Sequence, residues 1–200
     1  MTKAILEELV YLSLSGGETS MESSVQRVDI SAYLPVAYSS AMVEYYWMLS
    51  KQRRGGDRQP LGDMYYSDIE ATITKTGNIG KLDGVTLLAG YHPLGHVIID
   101  GVKAVVANNC FTAKDLSGIY ETQVAYTEGQ QVYVVNPCGD TAKVRGIFNL
   151  NTFDREETIT LPPSVEESII ERCVKHFSVQ KRLIENEVDN NDDGVSQSDR

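Results

Sequence analysis

Ile69-Glu70-Ala71-Thr72-Ile73-Thr74 alternates apolar and polar residues without a break, the period of a strand with one face buried. The same grammar runs from Tyr65 to about Leu150. Short β-rich runs follow at Val85 to Ala89, Val97 to Ile99, Val102 to Val106, Val124 to Tyr126, Val132 to Val135 and Val144 to Phe148. Turn formers separate them: Gly77-Asn78, Asp83-Gly84, Asp100-Gly101, Glu128-Gly129 and Cys138-Gly139-Asp140. Asp100-Gly101, set between two apolar runs, is the strongest short hairpin signal in the chain. Consecutive short strands with no helical pattern between them predict an antiparallel sheet or a small barrel.

On either side the period changes to that of a helix. Ile5, Leu6, Leu9, Val10 and Leu12 mark a short amphipathic helix that Gly16-Gly17 should end. Glu18 to Ser24 is small and polar, hence a loop. Asp29-Ile30-Ser31 offers capping side chains for a longer helix through Leu34, Pro35 and Ala37 to about Lys51. Tyr38, Ala41, Met42, Tyr45, Tyr46, Trp47 and Leu49 are its expected core face. Lys51, Arg53 and Arg54 suit the negative end of that helix, and Gly55-Gly56 should stop it.

Beyond the strands, Thr160-Leu161-Pro162-Pro163-Ser164 reads as a sharp helix start, because proline presets φ and lacks a donor that the first turn leaves unpaired anyway. Val165, Ile169, Ile170, Cys173, Val174 and Phe177 then line one apolar face, to about Ser178 and on toward Ile184. The remainder, rich in Asp, Glu, Asn and Ser, has too little apolar area to pack by itself. The expected fold class is α+β. Residues 1–64 form an N-terminal helical part and 65–157 an inserted antiparallel β-rich subdomain. Residues 158–184 form a C-terminal helix that returns to pack with the N-terminal helices, and 185–200 form an acidic tail.

Two hundred residues suffice for one good core, and 42% hydrophobic content suits a folded chain. A formal net charge of −10 argues against a surface built to grip phosphates. Glu7 and Glu8 interrupt the apolar run after Met1-Thr2-Lys3, so no secretory leader is expected and a cytoplasmic start is. No stretch approaches the roughly 18 uninterrupted apolar residues of a membrane span.

Cys110, Cys138 and Cys173 make an odd count, unsuited to a disulfide framework. His92 and His96 flank a Pro-Leu-Gly turn, and Cys173 and His176 form a lone Cys-x2-His pair. Neither reading brings four zinc ligands together, so no metal is expected and Cys173 reads as a core residue. Gly77-Asn78-Ile79-Gly80-Lys81 lacks the Lys-Ser/Thr that opens a helix in a phosphate loop. No nucleophile elbow is present, and the paired carboxylates Glu156-Glu157 and Glu166-Glu167 point about 100° apart on a helix. The chain reads as a non-enzyme with no cofactor.

With those residues placed, the chain resembles the head-to-tail connector, or adaptor, proteins of short-tailed bacteriophages, including the neck ring proteins of crAss-like phages. The matching pieces are Ile5-Leu6-Glu7-Glu8-Leu9-Val10, the helix ending Glu44-Tyr45-Tyr46-Trp47, the strand Lys143-Val144-Arg145-Gly146-Ile147-Phe148, and Leu161-Pro162-Pro163-Ser164-Val165-Glu166-Glu167-Ser168-Ile169-Ile170. The resemblance covers the whole length as a layout. It implies a virion protein assembled in the host cytoplasm as a ring of about a dozen copies under the portal. Such a ring extends the DNA channel, with DNA only as passing cargo, and docks neighbouring neck or tail proteins.

On that reading the candidate partner-docking residues are Asp189, Asn190, Asn191, Asp192 and Asp193, with Arg53 and Arg54. Acidic groups of this kind order when they meet Arg or a helix N-terminus on a neighbour. The alternatives are another tail or head structural component, a ligand-binding module built on the β region, and a hydrolase with a dispersed site.

Overall fold

Helix α1 spans Lys3–Leu14, and its first turn is capped by Thr2, whose Oγ1 accepts from the Ile5 amide at 3.2 Å. Its inner face buries Leu6 and Val10, and the half-turn between them buries Glu7, whose carboxylate meets Arg155 at 3.1 Å. The computed structural model describes residues 1–15, 25–52, 65–89, 94–120 and 122–192. The glycine pairs at 16–17 and 55–56 lie outside those residues.

Helix α2 spans Arg27–Gln52, so it starts before the Asp29-Ile30-Ser31 cap read from the sequence. Asp29 instead lies in the first turn and reaches back, its Oδ2 accepting from the Gln26 amide at 3.1 Å. That is the returning half of a capping box, which satisfies a donor the helix leaves unpaired. Pro35 lies inside α2, where it removes one backbone donor but is buried among Leu34, Ala37 and Tyr38.

Eight strands form one sheet: β1 (Ser67–Thr76), β2 (Ile79–Asp83), β3 (Leu94–Ile99), β4 (Val102–Lys103), β5 (Val105–Ala107), β6 (Val124–Glu128), β7 (Gln131–Val135) and β8 (Thr141–Gly146). Their order is β4-β3-β8-β1-β2-β7-β6-β5. The two edges, β4 and β5, are consecutive in the chain with only Ala104 between them. The Ala104 amide donates to Val97 O at 2.8 Å, and the next amide, Val105, donates to Gln123 O at 3.0 Å. One continuous segment therefore pairs with β3 through β4 and with β6 through β5, and closes the sheet into a small barrel. Its lumen is filled by inward side chains such as Ile73, Leu82, Val97, Ile99, Val134 and Val144, each no more than 5% exposed.

Local turn chemistry sets the hairpins. Asp100 and Gly101 both take positive φ, +50° and +78°, as a type I′ turn between β3 and β4 requires. Gly77-Asn78 turns β1 into β2, so the glycine- and lysine-containing stretch is a hairpin and not a phosphate loop.

Three features of the β region differ from the reading of the sequence. A helix, α3 (Cys110–Tyr120), interrupts the strands, and β5 pairs parallel with β6. The subdomain is therefore mixed, not purely antiparallel: a parallel neighbour needs a crossover of a dozen or more residues, and α3 supplies it. The Val85–Ala89 run is not a strand. Its backbone instead ties other elements together, with Leu87 N to Gln130 O at 2.8 Å and Leu88 N to Ile147 O at 2.9 Å.

Helix α4 spans Pro163–Asp192, starting at the proline pair and running past the expected end. The segment from 185 to 192, the first part of the acidic tail, has helical backbone. No glycine or proline interrupts the sequence between Ser164 and Asp193, so nothing local stops the helix. Val165, Ile169, Cys173 and Phe177 are buried at four-residue steps. The buried residues of α1, α2, the barrel lumen and α4 form one continuous cluster.

Cys173 is fully buried, and desolvation pushes its thiol up to about 11 from an ordinary 9.0. Because the folded value is the higher one, the stability this thiol contributes is complete below about pH 9 and is lost as pH rises through about 11. Cys173→Ser should lower stability by about 1–3 kcal/mol at neutral pH, since the hydroxyl enters an apolar site. Urea melts of the two proteins measure this; an unchanged midpoint would place residue 173 outside the working core.

Candidate assembly interface

Helix α2 is apolar on two opposite faces. Ile30, Leu34, Ala37 and Ala41 point inward and are at most 2% exposed. Val28, Ala32 and Val36 follow each other at four-residue steps along the other side, and Trp47 resumes the row beyond Ser40 and the half-buried Val43, which packs against the core. Val28 is 73%, Val36 57% and Trp47 53% exposed. The sequence reading put Trp47 in the core. It falls instead on the outward stripe, while Tyr38 and Met42 take the inward places. No charged residue occurs between Ile30 and Val43, so this outward face is uncharged over about four turns. A contiguous apolar surface of that kind marks an interaction site.

Beside the stripe lies an open groove of about 710 Å³ between α2 and α4. Tyr33 and His176 stack across it with ring centres 3.8 Å apart and planes within 5°. Arg172 spans the same gap, donating to Ser40 Oγ at 2.9 Å, to Ser168 Oγ at 3.1 Å, and to the Glu44 carboxylate. Glu44 is largely solvated, so that ion pair positions the wall more than it stabilises it. Glu171, Lys175 and the half-exposed Val179 complete the α4 side.

A second apolar patch lies on α3, on the outside of the barrel. Asn109 caps this helix, its Oδ1 accepting from the Thr112 amide at 2.9 Å. Ala113, Leu116 and Ser117 face Val124, Tyr126 and Val135 of the barrel wall. Ser117 is buried but satisfied: it donates to Thr122 O at 3.0 Å and accepts from Asn136 Nδ2 at 2.7 Å. The opposite face carries Phe111, 83% exposed, and Ile119, 70% exposed, two turns apart. Val102, Val105 and Val106 on the closing segment of the barrel are also exposed. The sequence held two signals for α3: the Asn109 cap, and a gap of about 17 residues between the β runs, long enough for a crossover.

The structure describes part of the set proposed from the sequence. Asp189, Asn190, Asn191 and Asp192 are in the last turns of α4. Asp193, Arg53 and Arg54 lie outside the described residues, as does His92. His96 is on β3, Cys138 in the loop before β8, Cys110 at the start of α3 and Cys173 inside the helical core. Among the described residues no group of three or more His, Cys, Asp or Glu side chains is placed to hold a metal ion. At the barrel end, the Lys75 ammonium hydrogen-bonds Asp140 at 2.7 Å and holds its carboxyl below the ordinary range. No helix among the described residues is long and apolar enough to cross a membrane. No protein-family model matches the chain, and no curated protein matches its sequence.

Proposed function

We propose that this chain is a virion structural protein of the head-to-tail connector type: one subunit of a ring at the portal–tail junction that extends the DNA channel and docks tail components. The observation that carries the reading is the second apolar face of α2, an uncharged outward stripe that a protein acting alone would not need. A structural subunit works by presenting surfaces, and the exposed Val28, Val36 and Trp47 of α2 with Phe111 and Ile119 of α3 offer such surfaces.

Within this reading the helices from the two ends of the chain act as one layer, and the barrel is an insertion projecting from it. Three observations support that division: the Arg172 contacts to Ser40 and Glu44, the Tyr33–His176 stack, and the pairing of Met1 with Ile159 through reciprocal backbone bonds of 3.1 and 2.7 Å. The net charge of −10 suits a channel that DNA crosses without being held. The partners are further copies, about a dozen by resemblance, together with the portal and neighbouring neck or tail proteins. The place of action is the neck of the virion, after assembly in the host cytoplasm.

Electron microscopy of the purified protein, alone and mixed with a portal, tests the proposal. Rings coaxial with the portal are expected. A protein that stays monomeric with and without portal would overturn it. Removing the residues after Asn186 should leave the melting temperature of the monomer nearly unchanged but weaken ring or portal binding. Equal assembly by the shortened chain would remove the acidic end of α4 from the docking surface.

A further inference from the structure

We infer that the contact between neighbouring copies is a helix-in-groove contact, in which α3 of one copy docks in the α2–α4 groove of the next with Phe111 as its anchor. The inference rests on the ring reading above and adds to it which surfaces meet. Phe111 exposes 83% of its surface, and Ile119 exposes 70% on the same row of α3. Apolar residues at i and i+8 on an otherwise polar helix face are the anchors of a segment made to lie in a groove.

The α2–α4 groove fits that segment in shape and in charge. Its volume, about 710 Å³, leaves room for an aromatic side chain beside the flat Tyr33–His176 stack and the exposed Val179. Aromatic rings gain from such offset or edge contacts. Between and beside the two anchors α3 carries one cation and one anion, Lys114 and Asp115. The groove wall carries two of each: Glu44 and Arg172 pair with each other, and Glu171 and Lys175 stand a single turn apart on α4. Lys114 can therefore meet Glu171 while Asp115 meets Lys175, an arrangement that sets direction and register more than affinity. For a chain of net charge −10, apolar anchors flanked by balanced charge also avoid the repulsion that two copies otherwise meet.

The partner is a second copy in head-to-tail order, because groove and anchor are different surfaces carried by different elements. Such heterologous contacts close into rings when the rotation allows. Size points the same way. An 11-residue helix is about 16 Å long, and its single face falls well short of the roughly 800 Å² per partner of a stable complex. One contact is then too weak to accumulate as a dimer, whereas closure gives every subunit two contacts and makes the ring persist.

The test uses the full chain with single substitutions on the two surfaces, followed by native mass spectrometry across concentrations. Phe111→Asp and Val179→Asp should each fold normally, since both positions are exposed, and each should abolish the ring. Phe111→Leu should retain it. An equimolar mixture of the two Asp variants should give no ring, and a one-to-one heterodimer only at concentrations high enough to populate the single weak contact, since each retains the surface the other lacks. Ile119→Ser, a milder change, should weaken ring formation by about thirtyfold, as loss of an interface anchor does.

Rings formed by Phe111→Asp as readily as by the parent would overturn this docking mode and leave the ring reading standing. So would a parent that accumulates as a discrete dimer lost only on changing α2. A parent that stays monomeric even with portal would overturn both.

Discussion

Phe148→Ala lowers the stability of the chain by about 3–5 kcal/mol, the usual cost of removing a buried aromatic and leaving a cavity. Phe148 is 1% exposed and packs edge-on against Phe153, with ring centres 6.2 Å apart. It follows the last barrel strand, where its backbone bridges Leu87, and it precedes the 3-10 turn Leu150–Thr152 that carries Asn149 to Ser39 of α2. The side chain thus fills the joint between the barrel lumen and the helical core, where neighbours on both sides are already tied by backbone bonds. A site braced in this way collapses little, which keeps the cost near the upper end of the range. For a domain of this size the melting temperature should fall by roughly 6–20 °C. Calorimetry of parent and variant measures it. A single cooperative transition at the lower temperature is expected, since one cluster of buried residues runs through both parts. Two separate transitions would show that the barrel and the helices are independent units.

Val36→Asp and Trp47→Asp leave the melting temperature of the monomer within about 2 °C of the parent, because both side chains are more than half exposed. Their effect falls on assembly. A carboxylate placed in the uncharged stripe of α2 would be buried without a partner in any complex that covers this face, and the association constant should fall by about a hundredfold or more. Sedimentation velocity at matched concentrations reads the difference. Val36→Ala, which trims volume without adding charge, should weaken assembly much less. If both Asp variants assemble like the parent, the second face of α2 lies on the outside of the ring and the interface is elsewhere.

Much of the architecture is legible in consecutive residues. Asp100-Gly101 adopts positive φ at both positions because few residue pairs tolerate it, so the hairpin is a local property. The start of α4 at Pro163 and the burial of Val165, Ile169, Cys173 and Phe177 follow from proline geometry and a clean 3.6-residue period. The alternation in β1 reappears as inward Ala71 and Ile73 beside exposed Glu70, Thr72 and Thr74.

In two helices, apolar residues on a second face blur the period. In α3 the outward Phe111 and Ile119 blur the period that Ala113, Leu116 and Ser117 set on the inward side, so the helix passed for part of a strand-rich run. In α2 the same doubling placed Trp47 in the core when the fold puts it outside. The acidic end of α4 has too little apolar area to pack by itself, yet its backbone stays helical to Asp192, because a helix already nucleated by its buried turns extends at little cost where no proline or glycine stops it.

Tight turns, the proline-defined start of α4 and single-faced periods are therefore set by consecutive residues, because they depend on dihedral preferences and spacings within a few residues. Closure of the barrel through the Val102–Ala107 segment, the parallel β5–β6 pair and the meeting of Tyr33 with His176 join positions far apart in the chain. Which of two apolar faces is covered depends on what the remainder of the chain brings against it, and only the tertiary structure decides that.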